Sequence, residues 1–335
     1  MQDMADISLE NILDVTLRDG GYLNQWQFSR KEVRYLLDFL ARQGIRQVEV
    51  GFLRTAAQTT SVVNGCPATF LQEITQQHPG MQWVGMLNPA DADWREAVAG
   101  KLPYLSLVRL TCTAEVIGQA LEIAAYLHEQ SPTIKVSINL ICISSYRYAE
   151  IVDLLKRIAP SPHVDRLYFA DSRGALLPHE IEPLYALAKQ HCQLPLGFHA
   201  HDTLGNAVEN SNRAFVCGCD LIDVSLNSFG LAGGNTSLAA YLKANALADT
   251  PIETATLDFC EQHLSLREAD MGDRGLFALL ARQNVDPIWS DDLLETYPHE
   301  LAGLIDRLPR QPYKTLDEVL TAIRALEKEP CHEKC

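Results

Sequence analysis

The chain has 335 residues, 47% hydrophobic and 21% charged, with 28 Lys+Arg against 43 Asp+Glu and a formal net charge of −15. That composition belongs to a globular protein with room for one large domain and an appendage, and its acidity argues against a nucleic-acid or anionic-membrane surface. No apolar run is long enough to span a bilayer, residues 1–10 hold no signal-peptide core, and nine scattered cysteines suit reduced thiols, so a cytoplasmic location is expected.

Strand-like and helix-like segments alternate almost without exception. A strand over 12–18 precedes a helix over 31–42. A strand over 47–52 is followed by a helix over 68–77, a strand over 82–87 and a short helix over 91–99. Then come strand 104–111, helix 114–129, strand 135–141, helix 146–158, strand 166–170 and helix 178–191, with Pro178 in its first turn. The seventh strand carries His199 and His201, and helix 206–216, strand 221–226 and helix 237–248 complete the series. Eight such units predict a (β/α)8 TIM barrel. A doubly wound open sheet is the rival, but no Gly-rich dinucleotide fingerprint follows the first strand. After Pro251 the alternation stops, and helices are predicted over 261–267, 275–282, 291–296, 300–307 and 316–327. The expected division is a catalytic barrel over 1–250 and a helical C-terminal region over 251–335, with a charged tail from 329 that frays.

Several strands are too polar for a packed core. Asp14, Thr16 and Arg18 fall on one face of the first, Glu49 interrupts the second, and Arg109 the fourth. Ser137 and Asn139 lie on the fifth, and Asp223, Ser225 and Asn227 alternate along the eighth. Alternation of this kind predicts a polar barrel lumen, where polar groups must be paired. Asp14, Thr16 and Asp223, low in their strands, read as braces.

Strand C-terminal ends are different, because active sites of this fold form there. They carry Arg18-Asp19, Glu49, Arg109, Asn139, Asp171-Ser172, His199 and His201, and Asn227. His199 and His201, two apart on a strand, point the same way and can share one metal ion, and Asp19 supplies a carboxylate. Mixed oxygen and nitrogen ligands suit Mn²⁺ or Mg²⁺, and Zn²⁺ also fits. The convergence argues for an enzyme.

The segment Leu13-Asp14-Val15-Thr16-Leu17-Arg18-Asp19-Gly20 resembles the opening strand of the metal-dependent aldolase/lyase TIM-barrel superfamily, the group of 3-hydroxy-3-methylglutaryl-CoA lyase. His199-Ala200-His201-Asp202 with Gly205-Asn206-Ala207 is similar to its metal strand, 218–220 with 223–225 to its eighth strand, and 229–235 to its Gly-rich closing loop. Arg18-Asp19-Gly20-Gly21-Tyr22 with Asn24, Trp26 and Phe28, and the stretch 275–289, look most like the 4-hydroxy-2-oxovalerate aldolase-like branch.

The resemblance implies metal ligation by Asp19, His199, His201 and Asn235. It gives Arg18 the role of stabilising an enolate oxygen and makes Ser172 a substrate contact. Asn139, Arg109 and Glu49, at strand ends around the same mouth, join it as candidate substrate contacts, and Glu49 is also a candidate partner for Arg18. The implied activity is a divalent-metal-dependent aldolase that cleaves or forms a C–C bond through a pyruvate-type enolate, on a 4-hydroxy-2-oxo acid. The alternatives are a Claisen-type acyl-CoA synthase or lyase, an iron oxygenase built on two histidines and a carboxylate, and a non-catalytic binding protein on a degenerate barrel. The branch also implies an aldehyde dehydrogenase partner and a homo-oligomer. One departure stands out: Tyr22 occupies the place of the branch's histidine base, and a phenol near pKa ~10 is a poorer base. Arg173 is either a substrate-carboxylate ligand or a solvated loop residue. Gly233-Gly234-Asn235 reads as a tight loop delivering Asn235 rather than a phosphate cradle. Cys217-Gly218-Cys219 reads as core, and 331–335 as tail rather than metal site. His128, His163, His179 and His263 receive no role.

Overall fold

The computed structural model describes residues 7–247, 252–267 and 272–328. Its first strand, β1 (Ile12–Asp14), leads through a turn to α1 (Arg30–Arg42) and β2 (Gln47–Phe52). Helices α2 (Val62–Gly65) and α3 (Ala68–Gln77) precede β3 (Gln82–Leu87), and α4 (Trp94–Val98) precedes β4 (Leu107–Cys112). Next come α5 (Ile117–Gln130), β5 (Lys135–Leu140), α6 (Tyr148–Ile158), β6 (Arg166–Asp171), α7 (Pro178–His191) and β7 (Leu196–Ala200). The barrel ends with α8 (Ala207–Val216), β8 (Leu221–Val224) and α9 (Leu238–Ala244). The strands run β1 to β8 in sequence order around a closed parallel barrel, so the predicted TIM barrel is the fold.

The remaining helices are α10 (Ile252–His263), α11 (Arg274–Arg282), α12 (Ser290–Thr296), α13 (Leu301–Arg307) and α14 (Leu316–Lys328). The helix expected over 261–267 instead starts at Ile252, because Ile252, Phe259 and Cys260 bury one face in the barrel's own apolar shell, with Phe259 stacked on Phe39 at 4.4 Å. A second apolar core, with Leu280, Val285, Ile305, Tyr313 and Ile323, belongs to the C-terminal helices. The barrel's apolar cluster thus includes α10 through Leu266, and the second cluster begins at Leu280. The tail sequence 331–335 lies outside the described residues. No helix among the described residues is long and apolar enough to cross a membrane.

Strand alternation sorts the barrel wall. Val48 and Val50, Val108 and Leu110, Val136 and Ile138, and Phe198 and Ala200 face the helices. Their neighbours Glu49, Arg109, Ser137 and His199 therefore face the lumen. A small apolar plug of Leu13, Val15, Val84, Leu107, Tyr168 and Leu221 fills one layer of the lumen. Tyr168 fits because β7 has Gly197 beside it; a Cβ there would lie 2.4 Å from the ring. The Arg109 guanidinium sits 4.2 Å from the Tyr168 ring centroid, so the apolar plug meets the polar layer through a cation–π contact.

The first strand is shorter than expected. It stops at Asp14, and the Asp19 amide donates to the Val15 carbonyl (2.8 Å) in a helical turn. Asp14, Thr16 and Arg18 therefore do not share a strand face. Leu13 and Val15 take the lumen, while Asp14 is buried on the other side with Thr16 N (3.0 Å) and Thr16 Oγ1 (2.9 Å) donating to its carboxylate. The turn lets the consecutive residues Arg18 and Asp19 both reach the barrel mouth, which straight strand geometry forbids.

Candidate metal centre and active site

Asp19, His199 and His201 are buried and offer ligand atoms that all lie within 4.8 Å of one another. β7 presents His199, and His201 follows the strand in an antiparallel bridge to Asn235. The Gly-rich loop thus folds back over the histidines, with the Asp202 amide donating to the Gly234 carbonyl (2.6 Å), and it places Asn235 at the cluster.

Each imidazole is oriented from behind. His199 Nδ1 lies 2.9 Å from Asp223 Oδ2, and His201 Nδ1 lies 3.0 Å from the Leu231 carbonyl. Both oxygens only accept, so each Nδ1 carries the proton and each Nε2 presents a lone pair. Those two Nε2 atoms face each other at 3.2 Å. Burial lowers the His201 pKa to about 4, against the opposing pull of Asp19, so the ring is neutral. Burial would raise Asp19, but Arg18 and the two histidines outweigh it and hold the carboxyl well below its ordinary range.

The donor set fits a divalent cation on three observations. The two imidazole Nε2 atoms converge to 3.2 Å. Among the described residues, Asp19 Oδ2 and Asn235 Oδ1 are buried without a hydrogen-bond partner. Gly230 leaves space beside them, where a Cβ would lie 2.4 Å from Asn235 Nδ2 and 2.7 Å from Asp19 Oδ2. Buried orphan acceptors of this kind are costly unless something neutralises them.

A chain of buried charges supports the cluster. Arg18 Nη1 donates to Asp19 Oδ1 (2.5 Å) and Nε to Glu49 Oε2 (2.7 Å). Arg109 Nη1 lies 3.2 Å from the same Glu49 oxygen, and its Nη2 donates to Asp223 Oδ2 (2.6 Å). The Asn139 amide, oriented to satisfy its neighbours, accepts from Arg109 Nε (2.9 Å) and Nη2 (2.7 Å) and donates to Ser137 Oγ (2.7 Å). Burial would raise Asp223, yet Arg109 and His199 hold its carboxyl below the ordinary value.

The cluster opens into a cavity of about 570 Å³ at the strand ends, within the size range of small-molecule sites. Arg18, Tyr22, Ser172, Asn139 and Arg109 line it. Glu49 and Arg109 are 0% exposed and bonded to each other and to Arg18 and Asp223, so they hold other residues in place from the floor. Ser172 Oγ accepts from the Cys142 amide (3.0 Å), which fixes the side chain at the cavity wall. Tyr22 is 41% exposed and packs edge-on against Trp26, 4.7 Å between centroids. Desolvation raises its phenol above 10 despite Arg18 nearby, so it is a donor at neutral pH.

Four positions at the site lie outside those expected from the sequence. Asp223 was read as a brace, but it orients His199; its alternation with Leu221 on a lumen face was the available signal. Arg54, after β2, and Asp286 and Ile288, from the C-terminal region, also line the cavity. The strand-end rule could have found Arg54; nothing local marks the other two. Arg173 takes neither expected role. It is 2% exposed, with Nε donating to Asp286 Oδ2 (3.2 Å), Nη1 to the Asn284 carbonyl (2.7 Å) and Nη2 to the Tyr313 carbonyl (2.8 Å), so it clamps the C-terminal region to the barrel.

A TIM barrel with a carboxylate, two imidazoles and an arginine at its C-terminal mouth defines a barrel with a metal-type active site. The HMGL-like family profile matches residues 10–263, and the chain belongs to the HMGL-like family. A protein named 4-hydroxy-2-oxovalerate aldolase from Thermomicrobium roseum is 27% identical over 239 residues, which cover 69% of this chain and 65% of the relative, just under two thirds of its length. The N-terminal domain of a candidate aldolase from Bacteroides vulgatus superposes with a TM-score of 0.76 at 23% identity, covering 86% of this chain and 97% of that one. Hydroxymethylglutaryl-CoA lyase from Pseudomonas aeruginosa superposes with a TM-score of 0.60 at 18% identity, covering 81% and 97%. At these identities the solved structures bear on the fold alone.

Proposed function

We propose that this protein is a divalent-metal-dependent aldolase that cleaves or forms the C3–C4 bond of a 4-hydroxy-2-oxo acid through a pyruvate-type enolate, with its catalytic barrel over 1–250 and a helical C-terminal region over 251–335. The observation that carries it is Arg18 bonded to Asp19 beside two inward-facing imidazole lone pairs at the strand ends. Membership of a family with curated relatives named 4-hydroxy-2-oxovalerate aldolase supports it. Asp19, His199, His201 and Asn235 would hold the cation, with Mn²⁺ or Mg²⁺ favoured by their oxygen and nitrogen donors. When bound, the ion supplies Lewis acidity toward the 2-oxo acid's oxygens.

The chain's own groups do the rest. In cleavage the 4-hydroxyl gives its proton to solvent water, the C3–C4 bond breaks to give an aldehyde and the pyruvate enolate, and C3 then takes a proton back from water to give pyruvate. Arg18, fixed by Glu49 and Asp19, has no hydrogen bond on Nη2 among the described residues and meets the charge developing on the enolate oxygen. Tyr22, protonated, donates to the 4-oxygen and bridges the place of the missing histidine; it does not serve as a ready base. Ser172 holds the 2-oxo acid's carboxylate through its hydroxyl, while Asn139, Arg109 and Glu49 keep the floor rigid. A cytoplasmic location, self-association and an aldehyde dehydrogenase partner are part of the same proposal.

The test is release of pyruvate from 4-hydroxy-2-oxo acids by Mn²⁺-loaded protein. EDTA should abolish it, and the His199→Ala/His201→Ala double variant should lose both activity and bound metal. Absence of turnover across a panel of such acids refutes the reading. Thiol release from an acyl-CoA would move it to the Claisen alternative.

A further inference from the structure

Arg54 lines the same cavity as Asp19, His199 and His201, and no role proposed above uses it. The cavity's other arginines are committed to carboxylates: Arg18 to Asp19 and Glu49, Arg109 to Glu49 and Asp223. Arg54 forms no ion pair among the described residues, although Asp91, which accepts from Asn88 Nδ2 (3.4 Å), lines the cavity as well.

A solvated loop arginine would be loosely held, and Arg54 is not. Its guanidinium carbon lies 4.9 Å from the Phe52 ring centroid and 5.7 Å from that of Trp26. Nη1 donates to Asn64 Oδ1 (3.3 Å). Its backbone carbonyl accepts from the buried Lys101 Nζ (2.7 Å), which also binds the Gly65 carbonyl (2.7 Å) and so fixes both ends of the loop. Nε and Nη2, the side of the fork that matches a carboxylate or phosphate, have no partner among the described residues. Gln58 stands beside it in the cavity wall, its Oε1 occupied by Thr55 N and Oγ1 (3.2 Å each) and its amide nitrogen uncommitted. The Tyr22 ring packs 4.7 Å from Trp26 and 6.4 Å from Phe52 between centroids, the same two rings that hold the Arg54 guanidinium. Arg54 is therefore the neighbour of Tyr22 on the cavity wall, and with Tyr22 assigned to the 4-oxygen the aldehyde half lies on the Arg54 side.

We propose that Arg54 binds an anionic group on the aldehyde half of the substrate, so that the preferred acceptor is an aldehyde bearing a carboxylate or a phosphate ester. This rests on the aldolase reading.

The experiment measures kcat/KM for pyruvate addition by Mn²⁺-loaded protein to succinic semialdehyde, glycolaldehyde phosphate, butanal and acetaldehyde. The anionic aldehydes should exceed the neutral ones by roughly 10- to 100-fold, the range of a charge-assisted hydrogen bond, and the better of the two names the anion. Arg54→Gln should erase most of that preference through the aldehyde's KM, and Arg54→Lys should recover part of it, both with wild-type thermal unfolding. Equal use of neutral and anionic aldehydes, a preference unchanged in Arg54→Gln, or a rise confined to the pyruvate KM overturns the proposal. Exchange of pyruvate methyl protons with D2O separates the two claims. Exchange without a charge preference overturns the Arg54 assignment alone; no exchange by the wild-type protein removes the aldolase reading and this inference with it.

Discussion

Asp223→Asn probes the link between the barrel floor and the metal-type cluster. Asp223 Oδ2 accepts from both His199 Nδ1 (2.9 Å) and Arg109 Nη2 (2.6 Å), and Oδ1 is buried without a partner among the described residues. In the variant the amide oxygen keeps both donors, and the NH2 group falls at the orphan position, where it costs about 1–3 kcal/mol as an unsatisfied donor. If the amide turns over instead, NH2 faces Nδ1, the imidazole changes tautomer and Nε2 loses its lone pair. Losing a carboxylate behind a ligating histidine typically weakens metal affinity about 10- to 100-fold, or roughly 1.4–2.7 kcal/mol. Arg109 keeps Glu49 at 3.2 Å, so the fold survives with a lowered melting temperature. Titration calorimetry of Mn²⁺ into metal-free protein, well below that melting point, measures the effect. A dissociation constant within twofold of wild type would refute the reasoning, because the carboxylate would then not set the histidine's tautomer or orientation.

Gly230→Ala should abolish metal binding in a barrel that still folds, since the new Cβ meets Asn235 Nδ2 and Asp19 Oδ2 at 2.4 and 2.7 Å; metal analysis beside circular dichroism checks it. Arg173→Met strands the carbonyls of Asn284 and Tyr313 and should loosen the C-terminal region by about 2–4 kcal/mol, seen as faster hydrogen exchange over 284–313 with the strands unaffected. Burial raises Asp14 from 3.8 to about 7 against the bonds from Thr16. The folded chain therefore holds that proton where the unfolded chain has released it, and this contribution to stability is fully present below pH ~4 and lost as pH rises through ~7. Asp14→Asn should accordingly stabilise the protein at pH 8 by up to a few kcal/mol and by little at pH 4, measured by urea unfolding at both pH values.

The sequence by itself determined the barrel. Period-2 and period-3.6 patterns depend only on near neighbours, which is why residues 47–52, 68–77, 82–87 and 178–191 were read with the bounds the structure has. It also marked Asp19, His199 and His201, since histidines two apart on a strand point the same way and strand ends of this fold converge, and the three ligand atoms lie within 4.8 Å of one another; Asn235 was legible only through the resemblance of its Gly-rich loop. Tertiary structure decided the rest. Only the turn after Asp14 shows how two consecutive residues both reach the cavity, and only the closed lumen joins Glu49, Arg109 and Asp223 into one network across strands far apart in the chain. The buried clamp of Arg173 and the entry of Asp286 into the cavity depend on contacts more than a hundred residues apart in sequence. No local pattern encodes such contacts, because the energy that fixes them comes from pairing buried charges whose partners exist only once the barrel has closed.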